Sequence, residues 1–477
     1  MRISPRSRSL LKRRSGSAVL RARQPYARTR GDGTLRLGWH PSPAQAVVLA
    51  FATVILAGTL LLMLPIAAAG TPATFLQALF TATSAVCVTG LTVVDTATFW
   101  SPLGQFIVVA LIQLGGFGIM TFVSLIGIGL ARKMSLQARL NAAVEVRTVD
   151  FDDARGVVSG VLRLTVAIEG GVALLLALSF GLIQGEPPLR AITQGLFHAV
   201  SAFNNAGFAL FSDNLAGYVS DPTICLPICA AIILGGLGFP ALMQIRRYGL
   251  NRHGWTITTR MVLLMTPIML AGGTIGIAIN EWDNPGTLGP LPLGAKVLAA
   301  FTTSVQTRTA GFNVIDMGAL DPATMLGMDA LMFIGAGPAG TAGGIKVTTF
   351  LVMLAFVYAE VRGTQRLHLM GKRIPQLAMQ QAMTVGLLGA GCIGTAVVIL
   401  SETTDASLDA LLFEACSAFG TVGLSANLTP SLPPHAQFII ITLMFVGRLG
   451  PVTLGVALAR ARRPVPYDLP EERPIIG

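Results

Sequence analysis

Charge is what this sequence has least of. Only 12% of its 477 residues are Asp, Glu, Lys or Arg, against 52% hydrophobic, where a soluble globular domain carries roughly 25% charged residues. Between Pro41 and Ala131 a single charged side chain occurs, Asp95. A chain this short of charge cannot cover a water-facing surface, which excludes an ordinary soluble enzyme. Clustered catalytic acids, histidines or metal-ligand sets near one face are also lacking, so an integral membrane enzyme is a weak alternative. The five cysteines, Cys87, Cys225, Cys229, Cys392 and Cys416, show no paired zinc spacing, and an odd count cannot complete a disulfide framework. They read as small buried side chains. A short apolar core with a small-residue cleavage site is absent from residues 1–40, so no signal peptide is expected.

What fills the chain instead is apolar run after apolar run, at about 44–69, 103–131, 157–183, 223–245, 261–280, 323–358, 377–401 and 434–459. Each is long enough for the roughly 20 residues that cross a bilayer as a helix. Three of the seven connections are basic, around Arg139 and Arg147, Arg246 and Arg252, and Arg362 and Lys372. The first 40 residues hold eleven lysines and arginines against one acid, Asp32. Basic connections stay in the cytoplasm, which puts both termini on the cytoplasmic side of the cell's inner (plasma) membrane. The tail 1–42 reads as a disordered basic segment that touches anionic lipid headgroups. With no folded unit attached to that charge, nucleic acid is not an expected partner.

The other four connections are acidic, with Asp95, Glu186, Asp213, Asp283, Asp316, Asp405 and Asp409. Each contains a semi-apolar segment of 10–14 residues, 73–86, 190–203, 294–307 and 408–419. These are too short to span and read as re-entrant. Each ends in a glycine turn: Val88-Thr89-Gly90, Asn205-Ala206-Gly207, Thr309-Ala310-Gly311 and Thr421-Val422-Gly423. Glycines also cluster at matching places in the following runs, at Gly115-Gly116, Gly235-Gly236, Gly335 with Gly337, and Gly447 with Gly450. The expected fold is all-α and membrane-integral: four tandem helix–pore-loop–helix repeats around a pseudo-fourfold pore, with eight transmembrane and four re-entrant helices. The boundaries are a basic tail 1–42, repeats at 43–131, 157–247, 261–361 and 377–463, and a short tail 464–477.

Non-helical backbone survives at membrane depth only inside protein or along a water-filled cavity. Four glycine turns facing one axis meet that condition, and their carbonyls can replace the hydration shell of a cation. Thr421-Val422-Gly423 reproduces the first three residues of the Thr-Val-Gly-Tyr-Gly potassium filter. The twelve turn residues Val88, Thr89, Gly90, Asn205, Ala206, Gly207, Thr309, Ala310, Gly311, Thr421, Val422 and Gly423 are therefore candidate potassium ligands. Gly335-Ala-Gly337-Pro-Ala-Gly340 also matches G-x-G-x-x-G, with Glu360 about 20 residues on. That fingerprint needs a preceding strand in a soluble unit, which an apolar span does not supply. No resident cofactor is expected.

In combination, the four turns, Met332-Phe333-Ile334-Gly335, Gly343-Gly344-Ile345-Lys346-Val347 and Met444-Phe445-Val446-Gly447-Arg448-Leu449-Gly450-Pro451 resemble the Trk/Ktr/HKT superfamily of potassium transporters. The likeness covers about 42–463 and is closest to the bacterial Ktr-type membrane subunit. It implies potassium as substrate, with sodium as a candidate activating ion, and leaves sodium or ammonium as alternative substrates. It implies a homodimer and a cytoplasmic ring of nucleotide-binding regulatory subunits. It also implies a gate in the unwound stretch from Gly335 to Gly344, with Gly337, Pro338, Gly340, Gly343, Lys346 and Arg448. Pro338 removes a helix donor and the glycines weaken helix, so the break is expected from composition too. Arg448 reads as an electrostatic barrier or as half of a structural ion pair, and Lys346 as gate or interfacial anchor. Among the intramembrane acids Glu169, Asp329 and Glu414, the last is expected to brace the fourth turn. Arg308 is expected to point behind the third turn into a carboxylate, while His198 and Asn204 are expected only to pack.

Overall fold

The structure is a computed structural model, and it describes residues 43–133, 154–249, 251–364 and 367–450. The basic tail 1–42, the connection holding Arg139 and Arg147, the end of the last run and the tail 464–477 lie outside the described residues. Fourteen helices follow in order among them: α1 Pro43–Leu62, α2 Phe75–Val86, α3 Pro102–Lys133, α4 Ala154–Leu178, α5 Pro188–Phe203, α6 Pro222–Leu237, α7 Phe239–Tyr248, α8 Ile257–Glu281, α9 Leu293–Thr307, α10 Pro322–Phe333, α11 Val347–Val361, α12 Gln376–Thr403, α13 Leu408–Gly420 and α14 Pro434–Leu449.

Local chemistry explains where they start. Proline opens α5, α6, α10 and α14, where its missing N–H costs nothing. Asp221 and Asp321 cap α6 and α10 by accepting the Thr223 and Ala323 N–H groups, each at 2.8 Å. Thr74 and Gln77 form a reciprocal capping box at the start of α2, satisfying two donors that the helix leaves unpaired.

The short helices α2, α5, α9 and α13 coincide with the segments expected to be re-entrant. Each is packed by the long helix before it: α1 on α2, α4 on α5, α8 on α9 and α12 on α13. Burial is inverted relative to a water-soluble protein. Leu60, Ile279 and Leu387 stand exposed on the outer helices, while Thr81, Ser84, Thr302, Glu414 and Ser417 are fully buried. Among the described residues four helices are long and apolar enough to cross a membrane, or five if the bent pair α6–α7 counts as one.

Three expectations need correction. The run 223–245 is not a straight span, because α6 and α7 meet at 96°. The hinge is Gly238, at φ 86°, and the Phe239 N–H freed by the break donates to Ala339 O at 3.2 Å. The chain is also not purely α-helical, since His368–Leu369 and Lys372–Arg373 form a minimal antiparallel pair. Four cysteines are buried, but Cys392 is only half-buried on α12. The run 323–358 does break where Pro338 and the glycines fall, between α10 and α11.

Candidate functional site: a closed ring of four turns

Past each short helix the chain takes the same path. The first and third residues of every turn have positive φ: Val88 56° and Gly90 96°, Asn205 60° and Gly207 71°, Thr309 75° and Gly311 73°, Thr421 49° and Gly423 97°. A positive φ outside glycine is uncommon and is a marked outlier for a β-branched residue such as Val88. Such strain persists only where the surroundings over-determine it, and here it occurs four times in register.

The surroundings that impose it are the other turns. A methyl carbon placed on Gly90 would come within 3.1 Å of Gly207 Cα, one on Gly207 within 2.8 Å of Gly311 Cα, one on Gly311 within 3.1 Å of Gly423 Cα, and one on Gly423 within 3.0 Å of Gly90 Cα. The four turns close a ring in the order first, second, third, fourth, with backbone against backbone. Only glycine fits at these four positions, for space and for φ alike.

The middle residue of each turn is tied back to its short helix. Thr89 N–H donates to Ser84 O at 2.8 Å, Ala206 to Ser201 O at 2.7 Å, Ala310 to Gln306 O at 3.0 Å and Val422 to Ser417 O at 2.8 Å. The Ser84 and Ser417 hydroxyls also accept the Gly90 and Gly423 N–H groups at 3.0 Å. Sequence reasoning passed over these serines. Their signal was a serine six residues before the glycine, present in three turns and replaced by Val305 in the third. The Gly115, Gly235 and Gly447 of the following helices lie against the Val86, Phe203 and Phe419 carbonyls at the ends of the short helices.

The broken stretch between α10 and α11 borders this ring. Gly335 N–H donates to Ile345 O at 2.8 Å and Gly337 N–H to Gly236 O at 2.8 Å, while the Thr341 hydroxyl donates to Phe203 O at 3.1 Å. A side chain at Gly343 would collide with Thr421 of the fourth turn. Lys346 Nζ folds back onto the Ala342 carbonyl at 2.6 Å. Pro338 O lies against Gly238 at the α6–α7 hinge, and Gly340 lies beside Gly235 and Gly238. Gly344 carries the loop out at φ 64°. Arg448 forms no ion pair among the described residues. Its Nη1 donates to Thr341 O, and its Nη2 to Gly115 O at 3.3 Å. One guanidinium thus joins the loop to α3 and α14.

Other expectations fare unevenly. Arg308 finds no carboxylate among the described residues; it is buried, with Nε and Nη2 unpartnered. It lies where the apolar Ile232, Ile233, Leu270 and Ala336 crowd behind the third turn. Asn204 does more than pack. Its Nδ2 donates to Gln113 Oε1 at 2.8 Å and Glu169 Oε1 at 3.0 Å, giving the buried Glu169 a role beside the second turn. Asp329 is buried on α10 with Oδ1 unpartnered.

A cavity of about 460 Å³ opens on the other side of the ring, lined among others by Gly90, Gly207, Gly423, Asp95, Asn313 and Asn427. Burial works to raise the Asp95 carboxyl, but hydrogen bonds from the Ser212 hydroxyl, Ala97 N–H and Thr98 hydroxyl outweigh it and hold the group below its usual range. The Ser212 bond, at 2.6 Å, links the segments that leave the first and second turns.

The chain that builds this ring has counterparts among known proteins. Residues 25–464 match the family described as TrkH, cation transport protein. The chain belongs to this family. Its members transport cations and are not enzymes, and this chain is a multi-pass membrane protein. Among similar proteins are the Ktr system potassium uptake protein B of Bacillus subtilis, 39% identical over 88% of this chain and 94% of that one, and its namesake from Vibrio alginolyticus, 35% identical over 91% and 94%. The potassium/sodium uptake protein NtpJ of Enterococcus hirae is 35% identical over 91% and 97%. The crystal structure of the potassium transporter TrkH from Vibrio parahaemolyticus shares the fold, with a TM-score of 0.70 at 16% identity, covering 89% of this chain and 86% of that one.

Proposed function

We propose that this chain takes up potassium across the cell membrane through the ring of four turns. The observation that carries the reading is the closure of the ring: four positive-φ glycines in contact leave only backbone and small side chains at the centre. Carbonyls of Val88, Thr89, Asn205, Ala206, Thr309, Ala310, Thr421, Val422 and the four glycines then stand in for the ion's water. In this reading α2, α5, α9 and α13 are re-entrant and the remaining helices make eight spans, α6–α7 and α10–α11 being broken ones. Both termini lie in the cytoplasm.

The stretch from Gly335 to Lys346 is the gate, with Arg448 as its electrostatic partner. A positive guanidinium bonded to the Thr341 carbonyl opposes a passing cation and fixes the loop at once. The name of these relatives, protein B of a Ktr system, supports a separate regulatory subunit; in this proposal it acts on the loop from the cytoplasm. A homodimer, surrounding lipids and sodium as an activating ion complete the proposal. Rubidium flux into proteoliposomes, with potassium and sodium as competitors, tests it: potassium should suppress uptake at much lower concentration than sodium. Equal suppression would defeat the potassium reading.

A further inference from the structure

Nine residues before each ring glycine stand Thr81, His198, Thr302 and Glu414, four fully buried side chains on α2, α5, α9 and α13. They share a register and do different things. Glu414 accepts the Ser425 hydroxyl and, at 2.8 Å, the Thr429 hydroxyl, so α13 grips the segment that leaves the fourth turn. His198 accepts the Leu210 N–H on Nε2 at 3.3 Å, while its Nδ1 bonds the Gln194 carbonyl at 2.8 Å. Both bonds together require a neutral ring protonated on Nδ1. The imidazole, stacked on Phe211 with ring centroids 4.8 Å apart, thereby grips the segment leaving the second turn.

At the equivalent places in the first and third repeats there is no such grip. Among the described residues the Thr81 hydroxyl has no hydrogen-bond partner. The Thr302 hydroxyl faces the Cys225 and Cys229 thiols of α6 and bonds nothing in the segment leaving its own turn. The ring order places the second and fourth turns opposite each other, and likewise the first and third. One diagonal of the ring is clamped from behind and the other is not.

We infer that His198 and Glu414 are positioning residues that hold the second and fourth turns at a fixed span, and that the ion preference of the ring is set along this clamped diagonal. The inference rests on the reading of the turns as the ion filter. Carbonyls that replace a hydration shell distinguish a larger ion from a smaller one by cavity size or by the field of the coordinating dipoles. Either way the carbonyls must be kept from closing on the smaller ion, and a turn whose outgoing strand is tied to its own helix resists that motion. The first and third turns lack a tie to their own helix at this position; their outgoing segments bond instead to neighbouring ones, Asp95 to the Ser212 hydroxyl at 2.6 Å and Asn313 O to the Leu215 N–H at 3.0 Å, and can move with them as ions pass.

The test compares the two diagonals in proteoliposomes, with rubidium uptake normalised to folded protein. The readout is the ratio of sodium to potassium concentrations that halve uptake, which a purely structural loss does not move. His198→Phe keeps an aromatic ring and removes both bonds; Thr429→Val removes one donor to Glu414 while keeping the shape of the side chain. Each should lower the ratio by about fivefold, the weight of the one hydrogen bond that each loses to the outgoing segment. Thr81→Val and Thr302→Val should change it by less than about twofold on the same scale. If His198→Phe yields no folded protein, the shape-preserving Thr429→Val decides alone. Equal responses on the two diagonals, or an unchanged ratio for the clamped pair where Gly423→Ala shifts it, would overturn the inference. An unchanged ratio for Gly423→Ala as well would instead bring down the filter reading, and the clamp with it.

Discussion

The ring of turns and the loop from Gly335 to Lys346 are both glycine-rich departures from helix, yet they are held by different means. In the ring, a like bond recurs at every turn, from its middle residue back to its own short helix, five residues back in three turns and four in the third, and glycine meets glycine from turn to turn. In the loop nothing recurs. Its bonds go to Gly236 of α6, to Phe203 at the end of α5 and to Arg448 of α14. A structure that must hold one geometry repeats a rule. A loop proposed as a gate needs contacts that can be released without disturbing that rule.

The sharpest way to break this comparison is to put a side chain into the ring. In Gly207→Ala the added carbon would sit 2.7 Å from Ala310 O and 2.8 Å from Gly311 Cα at a positive φ. Strained backbone of this kind costs about 1–3 kcal/mol, so selective rubidium uptake should fall about tenfold or more by the same scale. Gly90→Ser should likewise raise sodium flux relative to potassium, since its side chain would press on the Ala206 carbonyl. Gly170→Ala, with open space around it, is the control and should leave flux and folding unchanged.

Releasing the loop should act in the opposite direction. Deleting Pro338–Ala342 is expected to raise initial uptake several-fold with the ion preference intact; an unchanged rate at normal protein amount would reduce the loop to packing. Arg448→Ala should speed uptake by less, and add little on top of the deletion, because the deletion already removes the Thr341 carbonyl that Arg448 holds. Arg448→Lys keeps the charge but not the planar fork, so a preserved slow rate there separates electrostatic repulsion from the latch. The smallest effect concerns Asp95. Its carboxyl sits below the usual 3.8, so its link to Ser212 contributes fully above that value and is lost as pH falls through the lower one. Melting curves of detergent-solubilised protein should therefore show a loss that sets in as pH falls below about 3.8 and that is blunted in Asp95→Asn.

The turns and the loop break were legible in the sequence because both depend on backbone chemistry that residue type controls. Gly90, Gly207, Gly311 and Gly423 announce positive φ, and Pro338 among glycines announces the end of α10. The partners were not legible. Asn204 meets Gln113 and Glu169 across a distance of many residues, and no local pattern specifies such a meeting. A carboxylate was expected for Arg308 because a cation facing the axis would repel ions, but among the described residues the guanidinium lies between apolar side chains instead. The straight span at 223–245 hid Gly238 because one glycine in an apolar run reads as helix until the neighbour that receives the freed N–H is known.

Arg448 reaches across to Gly115 of α3 and to the loop beyond α10, and that reach has a consequence for how such a molecule can come into being. Four identical subunits around an axis would carry four loops or none, and twelve residues contributed four times would not fit in the space that one occupies. A single polypeptide can carry one such loop alone, and here the arginine that secures it, Arg448 of α14, stands 107 residues further along the chain than the Thr341 carbonyl it holds.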